Sequence, residues 1–463
     1  MVCFTAAFLA IHCGSSVGDH VTYDWRVTNL TASYDGVSIR SIGINGKTSD
    51  QSVLDVELGQ EVEVRATIEL DEPTCLHLHG LKQLGTQEMD GTSELTQCHI
   101  DPNGAALYRF TPDKAGTFRW HSHYIAQYAY GLRGPLVAHA PPSEQQDWEK
   151  DIDEEFIIQM ADLYHRPPQP VRMWDNILIN NRGRYHCTAA IHHNFTECTD
   201  DQPLSQFHFK AGSKYLLRLI NMAALSPIQF SIDDHEFQGS PNTGKQGGKQ
   251  DQFGSFWMRA TGLLIHGLPW SRGTPAVAGE GYNYEGLAIV AYETGGAEEP
   301  TSEQQVNMTT VNEFDFTPLV PVVLPSAPSD HTVLQLKMQD GLGYFSIDEG
   351  DFNHFTLPDN PPLYSIAAGL KTEDLLPAVH SDGNGWCLDA GYVTLRFNAD
   401  NPGVWIMHCH IDWHLLAGLA MVFVEGEEQL QQKGGNAFSS GMLLISVCGY
   451  KHVTNSTSNS TMT

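Results

Sequence analysis

Positive charge is scarce in this chain: 26 Lys and Arg stand against 55 Asp and Glu, a formal charge of -29 over 463 residues. Such a surface repels phosphate backbones and anionic headgroups, which disfavours nucleic acid as a partner. Long apolar runs are missing too: none reaches the roughly 18 residues of a bilayer-spanning helix, so no membrane span is expected. Charged residues of both signs amount to only 17 %, beside 41 % hydrophobic residues, 42 Gly and 24 Pro. That balance suits a core-forming chain with many turns, not a helical bundle or a disordered tail, and predicts an all-β architecture. The length exceeds one compact core and predicts two to four domains.

Residues 2–11 form an apolar stretch of signal-peptide length followed by Gly14, Ser15 and Ser16, although no Lys or Arg precedes it. Residues 1–18 therefore read as a secretory signal peptide. Five Asn-x-Ser/Thr sequons, at Asn29, Asn194, Asn307, Asn455 and Asn459, agree with an extracellular glycoprotein. Of nine cysteines, Cys3 and Cys13 lie in the signal segment and Cys409 in a metal motif. The six others, Cys75, Cys98, Cys187, Cys198, Cys387 and Cys448, allow 15 pairings in an oxidising compartment. Cys187 with Cys198 is the expected local bridge, because a Gly-poor, His-rich loop between two strand-like runs needs a clamp.

Strand-like runs with period-two alternation recur in each third of the chain, at Val62–Ile68, Tyr215–Ile220 and Tyr392–Phe397. Each follows a similar turn, which predicts an internal repeat of about 150 residues. Polar seams at 141–147 and 295–312 separate the thirds. The expected units are 20–142, 150–295 and 312–430, with 431–463 a polar tail.

Three His-x-His pairs stand out: His77/His79, His121/His123 and His408/His410. On a strand, residues two apart share a face, so each pair presents two imidazoles side by side. About one such pair is expected by chance among 22 His, and singly each has an ordinary alternative as core or surface imidazole. The segment His408-Cys409-His410-Ile411-Asp412-Trp413-His414 is more specific. If it starts in strand conformation, the Cys409 thiolate faces one way and both flanking imidazoles the other, so one segment touches two metal sites. A thiolate with imidazoles and a weak or absent axial ligand selects copper. His414 can turn back to the thiolate, and Leu419 falls at the axial position, where an apolar group supplies no donor and favours Cu(I).

With His77-Leu78-His79-Gly80, Glu88-Met89-Asp90-Gly91, His121-Ser122-His123, Gly131-Leu132-Arg133-Gly134-Pro135, Leu217-Arg218-Leu219-Ile220-Asn221 and Asn401-Pro402-Gly403 leading into the Cys409 motif, the chain resembles a multicopper oxidase of the three-domain laccase type. The resemblance implies three cupredoxin-like β-sandwiches, with a type 1 copper in the third and a trinuclear cluster between first and third. It implies His77 as a type 2 ligand, His79, His121, His123, His408 and His410 as type 3 ligands, and Cys409 with His414 as type 1 ligands. It further implies that Asp90 and Asp412 assist proton delivery, and that Cys98 bridges to Cys448. The ordinary alternatives are a turn carboxylate for Asp90 and a cap for Asp412. The implied partners are molecular oxygen and a small reductant, most simply a phenol.

The sequence departs from the family in one ligand segment. No His-Pro dipeptide exists, so the expected His-Pro-x-His-Leu-His-Gly stretch before Cys409 is missing, and with it one ligand each for type 1, type 2 and type 3 copper. His331, His354 and His380 are isolated; His354 or His380 is a candidate replacement at type 1, against the plainer reading of exposed imidazoles. A second abbreviation is read at Gln246–Gln250, in place of expected strand sequence. Ala223-Ala224-Leu225-Ser226-Pro227, where the family carries a substrate-orienting carboxylate, has none. A shortened gene model or splice form, or a degenerate scaffold, would each explain the losses, and the cost of exposed strand edges favours the first. The sequence thus reads as a secreted laccase-like oxidase; the alternatives are a non-catalytic copper-binding cupredoxin protein, a ferroxidase or an ascorbate oxidase.

Overall fold

The computed structural model describes residues 20–166, 173–190, 197–240, 243–247, 254–263, 282–292, 299–304, 332–339, 342–347, 350–358, 361–371 and 397–434. Within them the chain is a succession of β-sheets with a few short helices, and no helix is long and apolar enough to cross a membrane. The first unit packs two four-stranded sheets. One runs in the order Ile39–Ile44, Val21–Ala32, Val62–Glu69, Ala105–Phe110; the other Leu54–Glu57, Arg133–His139, Gly116–His121, His77–His79.

Alternation explains why these strands form a sandwich. Along Val62–Glu69, Val62, Val64, Ala66 and Ile68 point inward and join Trp25, Val27, Tyr108, Trp120 and Leu136 in one core. Glu63 is buried against the pattern, and it is covered by the guanidiniums of Arg65 and, at 2.7 Å, Arg109. Asn29, the one sequon asparagine among the described residues, is exposed on Val21–Ala32 and accepts from Arg40 at 2.9 Å.

The second unit has a five-stranded sheet, Asn176–Ile179, Glu154–Leu163, Lys214–Asn221, Thr243–Gly247, Glu236–Ser240, facing a four-stranded one, Ser205–Phe209, Glu285–Tyr292, Ser255–Gly262, Ile228–Ile232. One expectation is corrected here. Gln246 and Gly247, read as replacing strand sequence, end a strand that pairs with Lys214–Leu217, because backbone pairing needs no particular side chain.

The third unit shows two hairpins among the described residues, Leu334–Gln339 with Leu342–Ile347 and Gly403–His408 with Ala420–Glu425. The anticipated strand at Tyr392–Phe397 falls outside the described residues but for the exposed Phe397, as do the signal segment, His331, His380, Cys387, Cys448, the remaining sequons and all of the tail beyond Gly434.

Contacts between units set the position of the metal motif. Trp413 is 1 % exposed and lies inside the hydrophobic core of the second unit beside Tyr164, Trp174 and Leu225. Its indole Nε1 donates to the Tyr164 hydroxyl at 3.2 Å. The bridge expected between Cys187 and Cys198 is present. It sits where the first unit meets the second, with Val37 paired to Cys198 and Thr199 N–H donating to Gly36 at 2.9 Å.

Candidate metal centre

The edge strand His77–His79 lies antiparallel to Gly116–His121, in the register His77 opposite His121 and His79 opposite Arg119. The side chains of His77, His79 and His121 thereby converge, with a donor atom of each within 4.8 Å of the others. His123 lies two residues past the strand end, where Ser122 N–H still pairs with Leu132 at 2.9 Å. Its ring packs 5.6 Å from His77 and 5.1 Å from His408, between centroids.

Orientation is fixed through Nδ1. A carbonyl can only accept, so His77 Nδ1–H donates to Asp90 at 2.7 Å, His121 Nδ1–H to Ser122 at 2.8 Å and His408 Nδ1–H to Cys409 at 2.9 Å. Nε2 is left as the free lone pair on each ring, the arrangement in which a backbone acceptor holds a metal-ligating imidazole. The free nitrogens pair up: His121 Nε2 is 3.3 Å from His79 Nδ1, and His123 Nε2 is 3.3 Å from His408 Nε2.

Burial keeps most of these rings neutral, and so able to donate to a metal. His123 falls to about 3 through burial and then the His77 charge; His410 falls to about 4 through burial and then Arg119. His79, His121, His408 and His414 are also lowered, burial being the largest cause in each. His77 differs: burial opposes its charge, but the Asp90 carboxylate, 3.4 Å away, outweighs burial and raises it. Asp90 itself is lowered, since its contacts with His77 and Thr92 overcome burial.

The strand leading into the cysteine ends at His408, two residues short of the extended segment His408–His410 anticipated, yet Cys409 N–H still donates to Leu419 at 3.1 Å. Beyond the strand end the side chains of His408 and His410 still face one side and that of Cys409 the other. Cys409 Sγ lies 3.3 Å from His414 Nδ1, while His408 meets His123 and His410 stands 5.3 Å from His79. Sulfur and nitrogen donors each roughly 2.0 to 2.3 Å from one ion are separated by about this much. The thiolate and imidazole thus fit one soft ion, and the five flanking and facing imidazoles with His77 fit further ions of the same kind. Leu419 is buried directly opposite Cys409 and offers no donor.

Asp412 is one of the two acids named from the sequence. It opens the short helix Asp412–Leu416 and does not cap it from outside. It is buried, its Oδ2 has no hydrogen-bond partner among the described residues, and burial followed by the Asp162 charge pushes it up to about 8. His354 lies against the same loop: its Nδ1–H donates to Gly343 at 3.0 Å, and its ring covers Gly418 so closely that a Cβ there would sit 2.1 Å from Cε1.

Asp162 and Arg119, near the centre, escaped sequence reasoning, and Arg133 stood only inside a motif with no role of its own. Asp162, fully buried, accepts from the N–H groups of Ala224 and Leu225 at 2.8 Å and Ser226 at 3.1 Å, and Ala224 accepts from Asp412 N–H at 2.9 Å. The segment that lacks a carboxylate of its own is therefore held by one from a neighbouring strand. Arg133, also buried, donates to Met222 at 2.8 Å. Arg119 donates through Nη2 to His410 Nε2 and through Nη1 to Asn221 at 3.5 Å. Period two gave a signal for Arg119, because it shares the strand face of His121. Cys98 is disulfide-bonded, and Cys448, expected as its partner, lies outside the described residues; Cys75 is a buried free thiol.

Profiles described as multicopper oxidase match residues 26–143, 146–240 and 386–429. The chain is similar to Laccase-1 of Trametes villosa, at 28 % identity covering 92 % of this chain and 93 % of the relative. It is also similar to the iron transport multicopper oxidase fetC of Epichloe festucae, at 27 % identity over 89 % of this chain and 77 % of that one. The first alignment spans 506 positions, more than the 463 residues here, so the relative has segments with no counterpart in this chain. Among solved structures, the laccase from Botrytis aclada superposes with a TM-score of 0.65 at 21 % identity, covering 91 % of each chain. Fet3p, described as a multicopper oxidase that functions in iron import, gives 0.65 at 21 %, covering 90 % of this chain and 92 % of that one. With three cupredoxin-type units and histidines converging on a cysteine strand, the chain belongs to the multicopper oxidase family, of laccase type, and is a copper oxidoreductase.

Proposed function

We propose that this is a secreted laccase-like oxidase, coupling one-electron oxidation of phenols or similar reductants to four-electron reduction of oxygen to water. Its three units are taken as 20–142, 150–295 and 312–430. The apolar stretch at residues 2–11 and the sequons support export. One observation carries the reading: Cys409 Sγ lies 3.3 Å from His414 on one side, while its covalent neighbours His408 and His410 reach His123 and His79 on the other.

Copper, when bound, supplies the redox chemistry. Cys409 and His414 would hold the copper that takes electrons from the reductant, and the buried Leu419 opposite Cys409 would offer it no further donor. The backbone from Cys409 to His408 and His410 is a covalent bridge of one residue each way between donor sets. His77 is held by Asp90, and in this reading Asp90, beside His77, and Asp412, whose proton burial retains, would assist proton delivery.

Copper content and the thiolate-to-copper absorption of purified protein test the reading, together with oxygen uptake on phenols. Full occupancy with an intense band is expected, and Cys409→Ser should lose the band and the oxygen uptake; undiminished uptake by Cys409→Ser overturns the proposal. A non-catalytic copper-binding scaffold is the second reading, favoured by the missing His-Pro-x-His-Leu-His-Gly segment. Colourless protein with little copper would support it.

A further inference from the structure

We infer that Arg119 is a resident cation competing with copper for the centre formed by His79, His121 and His410, so that this centre fills only when the guanidinium leaves His410. The inference rests on the reading of the histidine cluster as a copper site. Strand geometry puts Arg119 there: it is opposite His79 in the antiparallel register and two residues before His121, hence on the same face. Its Nη2 donates to His410 Nε2. An imidazole nitrogen has one lone pair, so while it accepts from the guanidinium it cannot bind a metal.

Charge adds to that competition. The positive charge of Arg119, in direct contact with one of the imidazoles, repels a cupric ion at that centre. Among the described residues no carboxylate pairs with Arg119; its partners are His410 and, at 3.5 Å, the Asn221 carbonyl, while Nε has none. Without an anion to neutralise it, the arginine weakens metal binding where it stands, yet is held loosely enough to be displaced. The consequence is ordered loading among the centres that keep two or more donors, with this centre the last of them to fill and its filling set by the copper level.

Stepwise copper titration of the metal-free full chain against a competing chelator, with bound copper counted by mass spectrometry of the metal, tests this. In Arg119→Leu the last copper should bind tighter by roughly tenfold or more than in the wild-type chain. Arg119→Gln, which keeps length and loses charge, should move the same way and serves if the Leu variant misfolds. The Cys409 absorption should titrate unchanged in all forms. Equal or weaker affinity for the last copper in both variants overturns the inference while leaving the oxidase reading standing. A cluster that takes up no copper in any form sinks both.

Discussion

At the scale of single residues, the centre depends on groups that are not themselves donors. Asp90 holds His77 twice, through its carbonyl at 2.7 Å and its carboxylate at 3.4 Å, and Gly91 after it has φ +81 with Leu76 O only 1.8 Å from where a Cβ would stand. That approach admits only glycine, so the ligand strand and the acidic turn are locked together. Asp412 makes a pH prediction. Its pKa in the folded chain, about 8, lies above the ordinary 3.8, so folding holds a proton that the unfolded chain releases. The contribution of Asp412 to the stability of the metal-free protein should therefore be fully present below about pH 4 and decline toward pH 8, by about 1.4 kcal/mol per pH unit for one proton. Asp412→Asn should flatten the decline, as read by urea unfolding midpoints over that range. Cys75, fully buried, is raised to about 12, so the folded protein should leave this thiol unalkylated at neutral pH. Rapid labelling of Cys75 without unfolding would contradict that burial.

At the scale of elements, the hairpin Gly403–His408 with Ala420–Glu425 and the short helix between its strands form one device. Cys409 and His414 are presented at its tip, and the tip is anchored away from its own sheet. Trp413 is embedded in the second unit's core, and a relay of Trp413 to Tyr164 at 3.2 Å and Tyr164 to Asp162 at 3.0 Å continues to the backbone of Ala224. Trp413→Ala should cost about 3 to 5 kcal/mol in chemical unfolding, since it opens a cavity the size of an indole. Because the same cavity frees the tip, the thiolate-to-copper absorption should broaden or vanish even where the variant stays folded. On the other flank, His354 over Gly418 and Gly343 against Leu419 pack so closely that any side chain at either glycine would displace the loop.

At the scale of the whole molecule, histidines from the first and third units meet over contacts made largely by the second. Arg218 joins Glu155 at 2.8 Å and reaches Thr117 of the first unit at 3.0 Å. Arg133 crosses in the opposite direction to Met222. The Cys187–Cys198 bridge, closing a loop of 11 residues' separation, fixes the stretch on which Val37 and Gly36 dock. Replacing both cysteines by serine should lower stability by about 3 kcal/mol. Limited proteolysis should then cut first in that loop, before the sheets open.

Much of this was readable in the residues. Alternation is a local property, so the sheets at Val62–Glu69 and Lys214–Asn221, the facing of each His-x-His pair and the opposed facing of Cys409 follow from period two alone. The motifs fix which imidazoles are available, and the absent His-Pro dipeptide fixes which are not. Tertiary structure decided the rest. Which nitrogen His77 leaves free depends on the Asp90 carbonyl brought up by folding, whereas His121 and His408 bond the carbonyl of the next residue. The burial that keeps His123 neutral and Asp412 protonated comes from neighbours distant in sequence. Asp162 and Arg119 look ordinary in the chain, and the motif around Arg133 does not reveal its partner, because a charge acquires its effect from what it faces, and facing across units is set only when the sandwiches pack.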